Sequence, residues 1–352
     1  MKVVIVGAGA LGSLYAAYLA RDGHDVSLVA RGERAPALAK HGIRVTGADD
    51  FTARCDIVTE PQRLRACDLL ILATKTYDTA GALQSLRELK LTSAFSVQNG
   101  VQKNDALAQA FGASAVFGAV TMIGAEVIPA QGDEPGAVRY TRAGMTTIGA
   151  IVGGESARVD EVVGAMQRAG LNVEASDRIA AVEWSKFVAW SGGSAVGVLT
   201  HQPSWRFLLD PDTALLATRV MRETAAVAQH LGIALIDAAL TSAAMLHRSE
   251  AEAVKITQAW GEKVKAAAPE MRPSMLHDAE RGRRLEVGET LDYTLTLANR
   301  FNLPAPTLDL CCRVLRMLSR LAQSTQLANV AQDAPGLLGL EADGVDHLCG
   351  HP

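Results

Sequence analysis

The stretch Gly7-Ala8-Gly9-Ala10-Leu11-Gly12 constrains this chain more than any other, because it comes directly after the apolar run Val3–Val6 and opens an apolar helical run at Leu11. A strand, a glycine turn and a helix in immediate succession need a tight turn at the first glycine. They also need close backbone approach at the second and close helix-to-strand packing at the third. The helix start aims free amides and the positive end of its dipole at one point, where a pyrophosphate fits. In that context Gly7, Ala8, Gly9, Ala10, Leu11 and Gly12 read as a dinucleotide-binding turn.

The residues beyond this turn support a parallel-rich α/β Rossmann-type domain. Strand patterns at Val3–Val6, Val26–Val29, Leu69–Ala73, Ala94–Val97 and Val116–Val120 alternate with helical spacing at Leu11–Arg21, Thr79–Leu89 and Asn104–Phe111, so a βαβ order is expected throughout. After a polar stretch around Gln131–Gly136, Tyr140–Ala150 reads as more sheet, Ser156–Ala169 as a helix and Leu171–Ala175 as a last strand. Beyond Ser176 only helical runs remain, at Arg178–Ser191, Asp212–Leu231, Ile236–His247, Glu289–Phe301 and Thr307–Ala322, which predicts an all-α C-terminal domain. Asp177 is the expected N-cap of the first of these helices. The expected division is therefore 1–176, 177–330 and a loose, Gly- and Asp-rich tail over 331–352.

At 352 residues the chain is long enough for two cores. A net charge of −4 lacks the basic excess that phosphate-backbone binding needs, so nucleic acid is not an expected partner. Lys2 and the apolar run to Leu19 imitate a secretory signal, but three glycines interrupt it, and no later segment approaches a membrane span. The cysteines show no Cys-x-x-Cys spacing, so no metal site is expected and a reducing cytoplasm is the expected setting.

The second strand ends at Val29-Ala30-Arg31, where an acidic residue usually holds the ribose hydroxyls. A basic residue there pairs with a 2′-phosphate instead, with Arg34 in support, which favours NADP (NADPH) over NAD. The competing reading is a solvated Arg31, with Glu33 serving a ribose. Lys75 and Asn99 each sit just past a strand on the edge that carries the glycine turn, although Asn99-Gly100 is also common turn chemistry. Gly124, beyond the strand Val116–Val120, completes the expected cofactor contacts.

With these motifs in view, the chain resembles the ketopantoate reductase family, the NADPH-dependent 2-dehydropantoate 2-reductases, as far as about Ala322. The resemblance rests on the glycine turn with Arg31, on Lys75, on Gln98-Asn99-Gly100, on Glu183-Trp184-Ser185-Lys186, and on Ser274-Met275-Leu276-His277-Asp278 through Gly282-Arg283 to Glu286. It implies that Lys186 is the general acid that protonates the keto oxygen. It further implies that Glu286 orients that lysine and contacts the ligands, and that Ser274 contacts the substrate, with Asn99 near both substrate and cofactor. A lysine suits the role chemically, because hydride attack builds negative charge on oxygen and an ammonium stabilises that charge and then gives up a proton. Glu289 competes with Glu286 for the partner role, three residues on and on the same expected helical face.

The chain departs from the family four, eight and about eighteen residues after the lysine. Asparagines usually grip the substrate there, and here stand Trp190, Ser194 and Ser204. These remain the expected substrate-binding positions. The change suggests a less polar or more planar 2-oxo acid, unless His201 or Gln202 restores the lost contacts. The function expected is NADPH-dependent reduction of a small 2-oxo acid, ketopantoate first. The alternatives are an opine-type dehydrogenase or a non-catalytic NADP(H) sensor. The long C-terminal helices are compatible with a homodimer.

Overall fold

The computed structural model describes residues 1–130, 136–153, 155–237 and 243–333. The chain starts with β1 (Lys2–Val6), α1 (Ala10–Arg21), β2 (Asp25–Val29), α2 (Arg34–His41), β3 (Ile43–Gly47), β4 (Phe51–Ala53) and β5 (Asp56–Val58). It continues with β6 (Ala66–Leu72), α3 (Thr79–Ser85), β7 (Lys90–Ser96), α4 (Lys103–Phe111) and β8 (Val116–Thr121). Then come β9 (Gly124–Ile128), β10 (Ala137–Arg142), β11 (Thr146–Ala150), α5 (Ser156–Arg168) and β12 (Val173–Ala175). The remaining helices are α6 (Ile179–Thr200), α7 (Ser204–Leu209), α8 (Pro211–His230), α9 (Glu250–Ala267), α10 (Ser274–Glu280), α11 (Leu291–Arg300) and α12 (Pro306–Asp333).

The main sheet has eight strands in the order β12-β11-β8-β7-β6-β1-β2-β5. Successive side chains of a strand enter opposite faces, and both faces of this sheet are covered. Val3 and Ile5 of β1 enter the core that holds Leu14, Tyr15 and Leu19 of α1. Val4 and Val6 enter the opposite core with Leu83 of α3 and Leu107 of α4. Because β1 has β2 on one side and β6 on the other, the chain leaves the sheet in opposite directions there. The carboxyl ends of β1 and β6 thus form the crevice in which such sheets hold ligands.

The strict βαβ order expected from the sequence does not hold. The β8–β11 pair is antiparallel. A second, four-stranded sheet β4-β3-β10-β9 also caps α1, its β10 pairing parallel with β3 from much earlier in the chain. Short strands joined over such distances leave almost no local signal.

Among the described residues the C-terminal half is helical from α6 onward, as expected. Helix α6 lies at its centre: Trp184, Phe187, Ala195 and Val198 pack into the core shared with α10 to α12, while Val188 and Val196 pack with α7 to α9. Three details differ from expectation. Helix α6 begins at Ile179, and the Ser176 hydroxyl, in place of Asp177, accepts the Arg178 amide at 3.1 Å. Of the helix expected over Ile236–His247, the described residues hold one tight turn at Ala243–His247 and an Ile236 amide that donates to Ser185 Oγ at 2.9 Å, and residues 238–242 lie outside the described set. The first residues of the tail expected from 331 are helical, since α12 runs to Asp333, and the remainder lies outside the described residues. Among these helices none is long and apolar enough to cross a membrane.

Candidate active site

The turn between β1 and α1 assigns each glycine a different physical reason. Gly7 has φ +109°, and a Cβ there would stand 2.8 Å from the Ala73 backbone at the end of the neighbouring strand. A Cβ on Gly12 would meet the Gly7 carbonyl oxygen at 2.0 Å. Both are packing glycines. Gly9 is different, because its nearest neighbour would be the Ala73 oxygen at 4.0 Å, so its open side is available to a ligand. Gly9 is also the N-cap of α1 and offers no side-chain cap, which leaves the first-turn amides for an anion. The residues therefore fit a dinucleotide pyrophosphate.

The two arginines after β2 have separate places. Arg34 lies against the turn, donating to Ala8 O at 2.5 Å and to Ser13 Oγ at 3.1 Å, and burial pulls its guanidinium down from its ordinary value. Arg31 is 81% exposed and pairs with Asp78 at 2.6 Å. Gly124 opens β9, where the Thr141 hydroxyl occupies the place of a Cβ, so its glycine has a packing cause of its own.

Lys75, just past β6, reaches across to the helical half, pairing with Asp278 of α10 at 2.5 Å and with Glu286 at 3.1 Å. Glu286 also accepts the Thr76 amide at 2.8 Å. Both carboxylates are buried, so the lysine offsets much of their desolvation. The expectation that Glu286 orients Lys186 thus meets a different arrangement: the contacts of Glu286 go to Lys75 and Thr76. Nor do Glu286 and Glu289 share a helical face, because residues 281–290 form turns and α11 starts at Leu291. Glu289 pairs with Arg284 at 3.0 Å.

Lys186, two turns into α6, is set between two acceptors from the other half of the molecule. Its Nζ donates to Asn99 Oδ1 at 3.2 Å and to the Thr121 carbonyl, at the end of β8, at 3.0 Å. Asn99 Nδ2 in turn donates to Ser274 Oγ at 3.4 Å, which brings Lys186, Asn99 and Ser274 together. The turn carrying Asn99 is pinned by Gln98, whose side-chain amide donates to Thr74 O at 3.0 Å and to Thr79 Oγ1 at 2.8 Å. Gly100 comes next with φ +89°, a conformation that favours glycine. Burial pushes the Lys186 ammonium down to about 7, with the charges of Lys103 and Arg142 acting in the same direction and Glu183 opposing. An amine that exchanges its proton near neutrality is suited to acid–base work.

Along α6 the next turns carry Trp190 and Ser194. Trp190 stacks on Phe187 with ring centroids 5.7 Å apart, and its Nε1, like Ser194 Oγ, is buried with no hydrogen-bond partner. Such groups are costly unless something satisfies them. Ser204, at the start of α7, is buried and its amide donates to Met271 O at 2.8 Å. His201 is an exposed, left-handed C-cap of α6, and Gln202 accepts from Arg206 at 3.3 Å. Sequence reasoning missed the contact roles of Thr121, Asp278 and Lys103. Only Asp278 had a sequence signal, in the Ser274–Asp278 motif.

The N-terminal residues 3–153 match the model of the ketopantoate reductase PanE/ApbA family, and residues 178–319 match that of the family's C-terminal part. The chain belongs to the ketopantoate reductase family. A 2-dehydropantoate 2-reductase of Pyrococcus abyssi is 32% identical over 235 residues, 66% of this chain and 75% of that one. Another from Mesorhizobium japonicum is 28% identical over 348 residues, covering 92% and 98%. A PanE/ApbA family ketopantoate reductase structure from Ralstonia eutropha superposes with a TM-score of 0.75 at 25% identity, covering 92% of this chain and all of that one. D-mandelate dehydrogenase in complex with NADH shares the fold, with a TM-score of 0.78 at 19% identity over 92% of this chain and all of that one.

Proposed function

We propose that this member of the ketopantoate reductase family reduces a 2-oxo acid to its 2-hydroxy acid with NADPH, with ketopantoate as the leading substrate. The observation that carries the reading is Lys186, an amine with its pKa lowered to about 7 and held between Asn99 and the Thr121 carbonyl on the edge that bears the glycine turn. The cofactor, when bound, supplies the hydride. The chain supplies the rest. Gly9 and the amides of Ala10, Leu11 and Gly12 hold the pyrophosphate, and Arg31 takes the 2′-phosphate. Lys75 and Asn99 line the path toward the reacting carbon, and Ser274 holds the substrate beside Asn99. As the carbonyl carbon accepts hydride, its oxygen gains charge. The Lys186 ammonium stabilises that oxygen and transfers a proton from Nζ to it, leaving a neutral amine, an alcohol and the oxidised nicotinamide. Glu286 acts through Lys75, fixing the loop after β6 against the helical half.

Trp190 and Ser194 favour a second reading of the substrate. An indole N–H needs an acceptor and brings an aromatic face stacked on Phe187, which suits a 2-oxo acid with a planar or less polar tail carrying an acceptor group. The name of the D-mandelate dehydrogenase neighbour is compatible with such a tail. NADPH consumption measured over a panel of 2-oxo acids, from ketopantoate to aryl-glyoxylates, with wild type and Lys186→Ala, tests both. The reading expects turnover with at least one member and a loss of roughly 10²–10⁴-fold in the variant. Full turnover by Lys186→Ala would remove the lysine from the mechanism.

A further inference from the structure

The end of β8 aligns a second buried lysine beside the first. Lys103, in the first turn of α4, is buried and donates to the Ala119 carbonyl and to Gln98 O at 3.2 Å, while Lys186 donates to the Thr121 carbonyl two residues along the same strand. Glu183 stands one turn before Lys186 on α6, three residues away and therefore on the same face of the helix. Yet its carboxylate turns to the other lysine. Oε1 lies 3.4 Å from Lys103 Nζ and accepts the Ala119 amide at 3.0 Å, while Oε2 accepts Asn104 Nδ2 at 2.7 Å. Every short contact of that carboxylate is an N–H donor, which is the pattern of an ionised group.

We propose that Lys103 is a positioning residue for proton transfer, holding the Glu183 carboxylate on the α4 and β8 side so that Lys186 has no anionic partner and keeps a proton it can give away. A paired Lys186 would hold its proton too strongly to deliver it. The charged groups that bear on Lys186 are Glu183 from its own helix, Lys103 from α4 and Arg142 from β10, and only Glu183 favours the protonated form. Burial drives the Lys103 ammonium down and the Glu183 carboxyl up, and the charge of each opposes the shift of the other. The inference rests on the reading of Lys186 as proton donor, and its test is separable from that reading.

The test is a direct titration of Lys186 by NMR on lysine-labelled protein, with the signal assigned through Lys186→Arg. Lys103→Met frees Glu183 and is expected to move the Lys186 titration up by about one pH unit, whereas Glu183→Gln leaves Lys103 unopposed and is expected to move it down. Opposite shifts are the signature. A purely structural tie between α4 and α6 would lower stability in both variants without moving the titration in opposite directions, so unmoved or same-direction curves overturn the proposal. Each single change leaves a buried charge unpaired, so the double variant Lys103→Met with Glu183→Gln keeps the test available if the singles do not fold. Its expected curve lies above wild type, because the Lys103 charge outweighs that of Glu183, and an unmoved or lowered curve overturns the proposal. The falling limb of the pH–rate profile should move with the titration. A shifted titration with a fixed limb would leave the hold of Lys103 on Glu183 standing and refute Lys186 as donor.

Discussion

Replacing Gly12 and Gly9 separately by alanine distinguishes a packing glycine from a ligand glycine. At Gly12 the new methyl would stand 2.0 Å from the Gly7 carbonyl oxygen, and that oxygen must retreat to roughly 3.3 Å, an ordinary C···O contact. The oxygen belongs to the turn, which is itself pressed against the Ala73 backbone, so the shift has to move α1 away from β1. Overpacking of this kind puts Gly12→Ala at about 3 kcal/mol of destabilisation, or a fall of roughly 6–10 °C in Tm. Gly9 has φ −73°, accessible to alanine, and no neighbour closer than 4.0 Å, so Gly9→Ala should stay within about 1 kcal/mol of wild type. Its methyl would occupy the approach of the pyrophosphate, and NADPH affinity should fall at least about tenfold, which is about 1.4 kcal/mol. Chemical denaturation gives the first pair of values and fluorescence titration with NADPH the second. Unchanged affinity in Gly9→Ala, or unchanged stability in Gly12→Ala, would refute the division of roles.

Arg31→Ala should weaken NADPH binding by about tenfold while leaving NADH binding nearly unchanged; equal losses for both would mean that the 2′-phosphate is not read there. Ser194→Ala and Trp190→Phe each delete a buried polar atom without a partner in the free protein; Tm should hold or rise slightly for Ser194→Ala and fall for Trp190→Phe, which also removes part of a ring packed on the helical core. If either atom satisfies the substrate, kcat/KM should fall by roughly 10-fold or more, and unchanged values would remove these positions from the substrate site. Glu286→Gln should leave Lys75 with Asp278 alone and weaken the link between the two halves, read as increased amide exchange at Thr76, whose N–H it holds at 2.8 Å; unaltered exchange there would contradict the link.

The features legible in the sequence are those encoded locally. The run Val3–Gly12 carries its strand, turn and helix within ten residues, and the apolar spacing around Lys186 marks α6. Helix α8 has a similar local signal, the Asp210 side chain accepting the Thr213 amide ahead of Pro211. The Ser249–Glu252 capping box of α9 is also a local signal, but the expected helices pass over it, stopping at His247 and resuming at Glu289. The second sheet is not legible, since β3 and β10 meet only through tertiary pairing. The site divides in the same manner. Lys186, Asn99 and Ser274 stand in recognisable motifs and do converge. The partner of Glu286 escapes a sequence reading because Lys75 lies 211 residues earlier in the chain, and no local pattern encodes that encounter. Lys103 looks like an ordinary helix-start lysine; its burial comes only from the placement of α4 against β7 and β8, with Glu183 of α6 reaching to it.

Proton delivery by Lys186 is the centre of the mechanism, and the pH dependence of the single-turnover reduction tests it most directly. The folded-state pKa is lowered to about 7, and the donor must be protonated to act. Reduction should therefore be fastest below pH 7 and fall about tenfold per unit above it, while the reverse oxidation rises over the same range. In Lys186→Ala that limb should disappear along with most of the rate, with NADPH still bound. A reduction rate that stays flat from about pH 6 to 9 in wild type, or a limb that survives in Lys186→Ala, would contradict the account.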